Sequence, residues 1–109
     1  MATVESSRSI NVSWSPVPLE DRNGIIQGYK VIYRALPNGN NETEIVNATI
    51  NDQDKGQTLT LEKLNEYTNY SIRVLAFTAF GDGPLSVAEI KQTLEDSKFK
   101  FGIYAINVI

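Results

Sequence analysis

The chain of 109 residues contains no cysteine and no histidine. Without cysteine there is no disulfide framework, no thiolate nucleophile and no thiolate metal site. Without histidine the commonest general base and the commonest metal ligand are both missing, which removes most hydrolase and zinc chemistries. Basic runs are lacking as well. Lys and Arg number 10 against 13 Asp and Glu, and the net charge of −3 has the wrong sign for a protein that neutralises phosphates, so no nucleic-acid partner is expected. Long apolar runs are scarce: the longest, Gly102 to Ile109, falls far short of the roughly 20 residues a spanning helix needs, so no direct membrane insertion is expected.

What remains is the composition of one globular domain, 41% hydrophobic and 21% charged, with enough chain for a single core. Apolar residues recur with period two rather than 3.6, the mark of strands that lay one face on a core. Ile10, Val12 and Trp14 alternate with polar residues until Pro16 and Pro18 stop the ladder. Tyr29, Val31 and Tyr33 form a second inward series, with Lys30, Ile32 and Arg34 outward. Asn38-Gly39 offers the positive φ angles of a tight hairpin before a short polar edge strand, Glu42 to Val46. Leu59 and Leu61 give a further strand, and Tyr70, Ile72, Val74 and Ala76 the longest one.

Between those last two strands the chain is short and polar except for Leu64, as suits a crossing from one sheet to the other with Leu64 plugging the end of the core. Tyr70 can bury its ring there and return its hydroxyl to the crossing, a tyrosine corner, or serve as one more core aromatic. Ala79 to Pro84 is expected to be a loop and Leu85 to Leu94 the final strand, although Glu89 and Lys91 occupy inward positions and Val87 and Ile90 are out of phase, which a bulge would reconcile. With a weaker strand near Ala2 to Glu5 the count is seven, the pattern of an all-β Greek-key sandwich nearly free of helix. The predicted core is Trp14, Tyr29, Val31, Tyr33, Leu61, Leu64, Tyr70, Ile72 and Val74.

No catalytic constellation emerges. Glu20/Asp21, Asp82 and Glu95/Asp96 lie in separate loops rather than as a paired acid and base. Asp52-Gln53-Asp54-Lys55-Gly56 hints at a calcium loop, but Gly56 stands where a third ligand is needed and Lys63 where the bidentate glutamate belongs. No enzymatic activity, metal or cofactor is expected.

Trp14 with Pro16, the run Gly28-Tyr29-Lys30-Val31-Ile32-Tyr33-Arg34, Leu61, Leu64, Tyr70-Ser71-Ile72-Arg73-Val74, Ala76, Gly81, Gly83-Pro84-Leu85-Ser86 and Thr93 together resemble a fibronectin type III domain over about residues 2 to 96. The resemblance implies an immunoglobulin-like, seven-stranded sandwich, strands A, B and E against C′, C, F and G. Gly24 to Tyr29 and Gly81 to Ser86 look most like members from neuronal cell-adhesion molecules and receptor-type protein tyrosine phosphatases. It also implies a non-catalytic protein-interaction and spacer module, in the extracellular, cell-surface part of a larger membrane-anchored adhesion or guidance receptor. Its partners would be proteins and neighbouring domains. The competing reading is a mechanical or linker module of an intracellular muscle protein or of a multidomain secreted enzyme. The chain opens without the family's proline-containing lead-in, so strand A is expected to be truncated and strand B to keep an incompletely paired edge.

Three groups of residues are candidates for function. The triplets beginning at Asn11, Asn41, Asn47 and Asn69 are acceptors for N-glycosylation, with Asn41 and Asn47 the most accessible by position. Ile32, Leu75 and Phe77, among Arg34 and Arg73, fall on the outward face of adjacent strands and could form a patch for a protein partner. Residues 97–109 match nothing in the family; Phe99, Phe101 and Ile103 alternate with Lys98, Lys100 and Gly102 as an added strand would, on this chain or exchanged in a homodimer, with disorder the alternative.

Overall fold

Period-two alternation builds two antiparallel sheets in the computed structural model, which describes residues 1–95. The small sheet has the order β1-β2-β5, with β1 Ala2–Val4, β2 Ile10–Trp14 and β5 Gln57–Leu61. The large one runs β4-β3-β6-β7, with β3 Gly28–Ala35, β4 Glu42–Asn47, β6 Asn69–Thr78 and β7 Gly81–Asp82; β8, Glu89–Gln92, also pairs with β6. This is the expected all-β sandwich, with eight strands among the described residues rather than seven. Helix among the described residues is confined to two 3₁₀ turns, Leu19–Asp21 and Ile50–Asp52. The tail expectations, Phe99, Phe101 and Ile103 included, lie outside the described residues.

Ile10 and Val12 from one sheet meet Val31, Tyr70 and Ile72 from the other, with Ala2, Leu61 and Leu64 closing the cluster. Trp14, Tyr33 and Val74 pack against this core and keep part of their surface outside it. At the crossing from β5 to β6 the Asn65 amide donates to the Tyr70 hydroxyl at 2.7 Å. Lys63 and Tyr67 there adopt left-handed φ of 57° and 46°, a conformation disfavoured for side-chain-bearing residues and sustained by the bonds around it.

Two local expectations are corrected. The β3–β4 connection does not use positive φ at Asn38-Gly39; among the described residues the left-handed glycines are Gly24 and Gly81. Gly39 is needed instead for close approach, since a Cβ there would lie 2.5 Å from the Ala35 carbonyl oxygen, against which the Gly39 amide donates at 2.7 Å. β2 is not left with an open edge over its first half, because Ala2, Thr3 and Val4 pair with Val12, Asn11 and Ile10.

The final strand is interrupted. Phe77 pairs with Asp82 and Ile72 with Glu89, so the residues 73–76 of β6 face the longer segment 83–88. The surplus is thrown outward as a bulged segment, leaving Val87 92% exposed, while Ser86 bonds β6 with its amide to the Val74 carbonyl and its hydroxyl to the Val74 amide. Glu89 returns to an inward position at the open side of the sandwich, where its carboxylate accepts the Ala2 amide at 2.8 Å and joins the two sheets.

Candidate functional site

The outer face of the large sheet is assembled by register. Ile32 stands between Thr43 and Arg73, Lys30 between Ile45 and Leu75, and Gly28 between Asn47 and Phe77. Ile32, Arg34 and Phe77 are half-buried and Arg73 is exposed, so four of the five anticipated face residues reach the surface together.

Leu75 does not: it is only 7% exposed. Lys30 on β3 forms an ion pair with Asp82 on β7 at 3.0 Å, and these strands flank β6 on opposite sides. The lysine stem must therefore cross β6, and its amine stands 5.5 Å from the Phe77 ring centroid. A long amphipathic side chain laid over apolar surface buries what is beneath it. Gly28 makes room for the same cover, since a Cβ there would meet the Phe77 ring at 2.7 Å.

Two apolar residues on this face escape the sequence pattern. Ile45, 57% exposed, lies on the strand that reads as merely polar, although its cross-strand pairing with Lys30 places it on the outer face. Leu85, 46% exposed, comes from the bulged segment, which no periodicity locates. Leu85 joins Ile32, Arg34, Asn41, Ser71 and Arg73 around a shallow depression of about 160 Å³. Among the described residues neither Arg34 nor Arg73 has a carboxylate within ion-pair distance; Arg34 only touches the Pro37 carbonyl at 3.5 Å.

A larger cleft, of about 710 Å³, opens where Trp14 and Tyr29 approach Phe80 to Ser86. The two rings lie 5.3 Å apart, and the indole Nε1 is buried without a hydrogen-bond partner among the described residues. Burial pushes the Tyr29 phenol above its ordinary value, with the Val17 backbone and Arg22 acting in the opposite sense. Near it the Gln53 side-chain amide imitates a strand, accepting from the Ile26 amide and donating to the Ile26 carbonyl, each at 2.8 Å. The carboxylates of the calcium-like run serve the same frame. Asp52 accepts from the Thr49 amide and hydroxyl, which holds its carboxyl below the ordinary value, and Asp54 pairs with Arg22 at 2.7 Å.

Of the glycosylation candidates, Asn41, Asn47 and Asn69 are exposed. Asn11 is half-buried in the middle strand of the small sheet, its side-chain oxygen accepting from the Thr60 hydroxyl at 3.4 Å. Sequence reasoning gave Thr93 no role of its own. It is 1% exposed, donates to the Asn65 carbonyl at 2.7 Å and accepts from the Thr68 amide at 3.0 Å, so it clips the same crossing that Tyr70 holds.

Two packed sheets with a crossing fastened by a tyrosine hydroxyl define an immunoglobulin-like Greek-key module. The sequence model of the fibronectin type III domain matches residues 1–92, and the chain belongs to that family, whose fold is a non-catalytic module. It is 44% identical over 95 residues to the cell adhesion molecule DSCAM of Gallus gallus, covering 87% of this chain and 4% of that protein. Protein sidekick of Drosophila melanogaster is 40% identical over 97 residues, covering 88% of this chain and 4% of that protein. The chain thus spans about 4% of the length of these curated relatives. Among solved structures, the FN5 domain of Drosophila Lar superposes with a TM-score of 0.66 at 29% identity, covering 88% of this chain and 91% of that one.

Proposed function

We propose that this module belongs to the extracellular region of a membrane-anchored cell-adhesion or guidance receptor, where it spaces its neighbours and offers the outer face of its large sheet to a protein partner. The observation that carries this is the pair of guanidiniums, Arg34 and Arg73, standing among Ile32, Ile45 and Leu85 without a carboxylate partner among the described residues. Arginine beside aliphatic surface is the composition of a contact centre, and it calls for a partner with a carboxylate set among apolar side chains. The similarity to DSCAM and sidekick supports the cell-surface setting.

The test uses beads coated with the parent ectodomain and adhesion to cells. Arg73→Glu with Ile45→Ser, at exposed positions outside the core, should weaken adhesion about tenfold, corresponding to about 1.4 kcal/mol, while the melting temperature stays within about 2 °C. Adhesion equal to that of the unaltered protein would remove the face from the account.

A further inference from the structure

Four N-glycosylation triplets look alike in the sequence, and the fold makes them unlike. Asn41 lines the depression with Ile32, Arg34, Ser71, Arg73 and Leu85, whereas Asn11, Asn47 and Asn69 line neither it nor the larger cleft. The β3–β4 register explains the placement. Tyr33 pairs with Glu42 and Ile32 with Thr43, so Asn41 lies one step beyond the paired ladder, and period two puts Asn41 and Thr43 on one face.

Resting on the cell-surface setting argued above, we propose that Asn41 carries an N-linked glycan whose first N-acetylglucosamine lies in this depression, so that glycosylation governs whether this end of the face can meet a protein. The fit is chemical. A pyranose presents carbon-bound hydrogens on its faces and hydroxyl and amide groups around its rim. The depression offers Ile32 and Leu85 to the first, and to the second the Ser71 hydroxyl and two guanidiniums whose donors are not taken by carboxylates of the described residues. Its volume of about 160 Å³ is on the scale of one sugar ring rather than a chain of them. A neutral sugar leaves the guanidiniums in contact with water along their outer edges, so seating it avoids the cost of burying an unpaired charge. Protein bare at Asn41 keeps both guanidiniums open to a partner's carboxylate, whereas with the seat filled protein contact is left to the Ile45 and Phe77 end of the face.

The experiment is secretion of the protein from mammalian cells, peptide mapping of all four asparagines, trimming to a single N-acetylglucosamine, and NMR of that form with labelled methyl groups. The expected result is sugar on Asn41, abolished by Asn41→Gln, with nuclear Overhauser contacts from the N-acetyl methyl to Ile32 and Leu85 that weaken at least twofold in Arg73→Ala. A bare Asn41 in protein glycosylated at Asn47 or Asn69 would overturn the proposal and leave the cell-surface setting intact. Sugar on Asn41 without those contacts would overturn the seat. Protein secreted with no glycan at any site would also overturn the proposal, and the adhesion assay with Arg73→Glu then judges the face independently.

Discussion

Thr93 and Tyr70 hold one crossing from two directions. Tyr70 receives the Asn65 amide, and Thr93 takes the Asn65 carbonyl and the Thr68 amide, so three backbone groups between β5 and β6 depend on two side-chain hydroxyls. Tyr70→Phe deletes one bond and leaves the ring in place, which should cost about 1 kcal/mol. Thr93→Val keeps the shape but strands a donor and an acceptor at a 1%-exposed position, and should cost about 2 kcal/mol. Thermal unfolding distinguishes them, since about 1 kcal/mol moves the midpoint of a domain this size by roughly 4 to 8 °C. A Thr93→Val midpoint equal to that of the unaltered protein would show that the crossing depends on the tyrosine alone.

At the scale of elements, β4 is the edge of the large sheet, and Gly28 sets how closely it approaches β3. A methyl at Gly28 would lie 2.6 Å from the Val46 carbonyl oxygen and 2.7 Å from the Phe77 ring. Both neighbours are backbone or packed aromatic, so the strand must shift. Gly28→Ala should destabilise by about 2 kcal/mol, with faster amide exchange concentrated in Glu42–Asn47 and not in β2 or β5. Uniform acceleration over both sheets would contradict a local displacement. At the other edge, the surplus residues of segment 83–88 and the Glu89 link to Ala2 explain why the final strand has no clean alternation: its inward polar positions close the seam between sheets and need not be apolar.

For the whole molecule, the titratable groups set a broad plateau of stability against pH. Burial, chiefly, and then Glu44 and Glu42 raise the Tyr33 phenol, and burial raises that of Tyr29. A folded-state value above the unfolded value of 10.0 means that each contribution is fully present below about pH 10 and is lost as pH rises through the folded value. Asp52 acts in the opposite direction: held below 3.8 by the Thr49 amide and hydroxyl, it contributes above that value and loses its contribution as pH falls through the folded one, a small effect at a fully exposed site. With no histidine in the chain, the melting temperature should stay level from about pH 6 to 9 and decline above about 10, and Tyr33→Phe should reduce that alkaline decline. A steep change between pH 6 and 8 would contradict this assignment.

The sequence by itself determined the all-β sandwich, the strands β2, β3, β5 and β6, the inward place of Tyr70 and the membership of Ile32, Arg34, Arg73 and Phe77 in one surface, because each follows from a period-two pattern that local geometry imposes on neighbouring residues. Only the tertiary structure decided that Leu75 is covered, that Ile45 and Leu85 complete the face, that Glu89 and Thr93 fasten edges and crossings, and that Asn41 alone of the four acceptor asparagines borders the depression. The division has a physical cause. Periodicity tells which side of its own strand a residue occupies, whereas cover, edge closure and cavities are made by side chains far apart in the chain, as Lys30 and Asp82 are above Leu75, and no local rule carries that information.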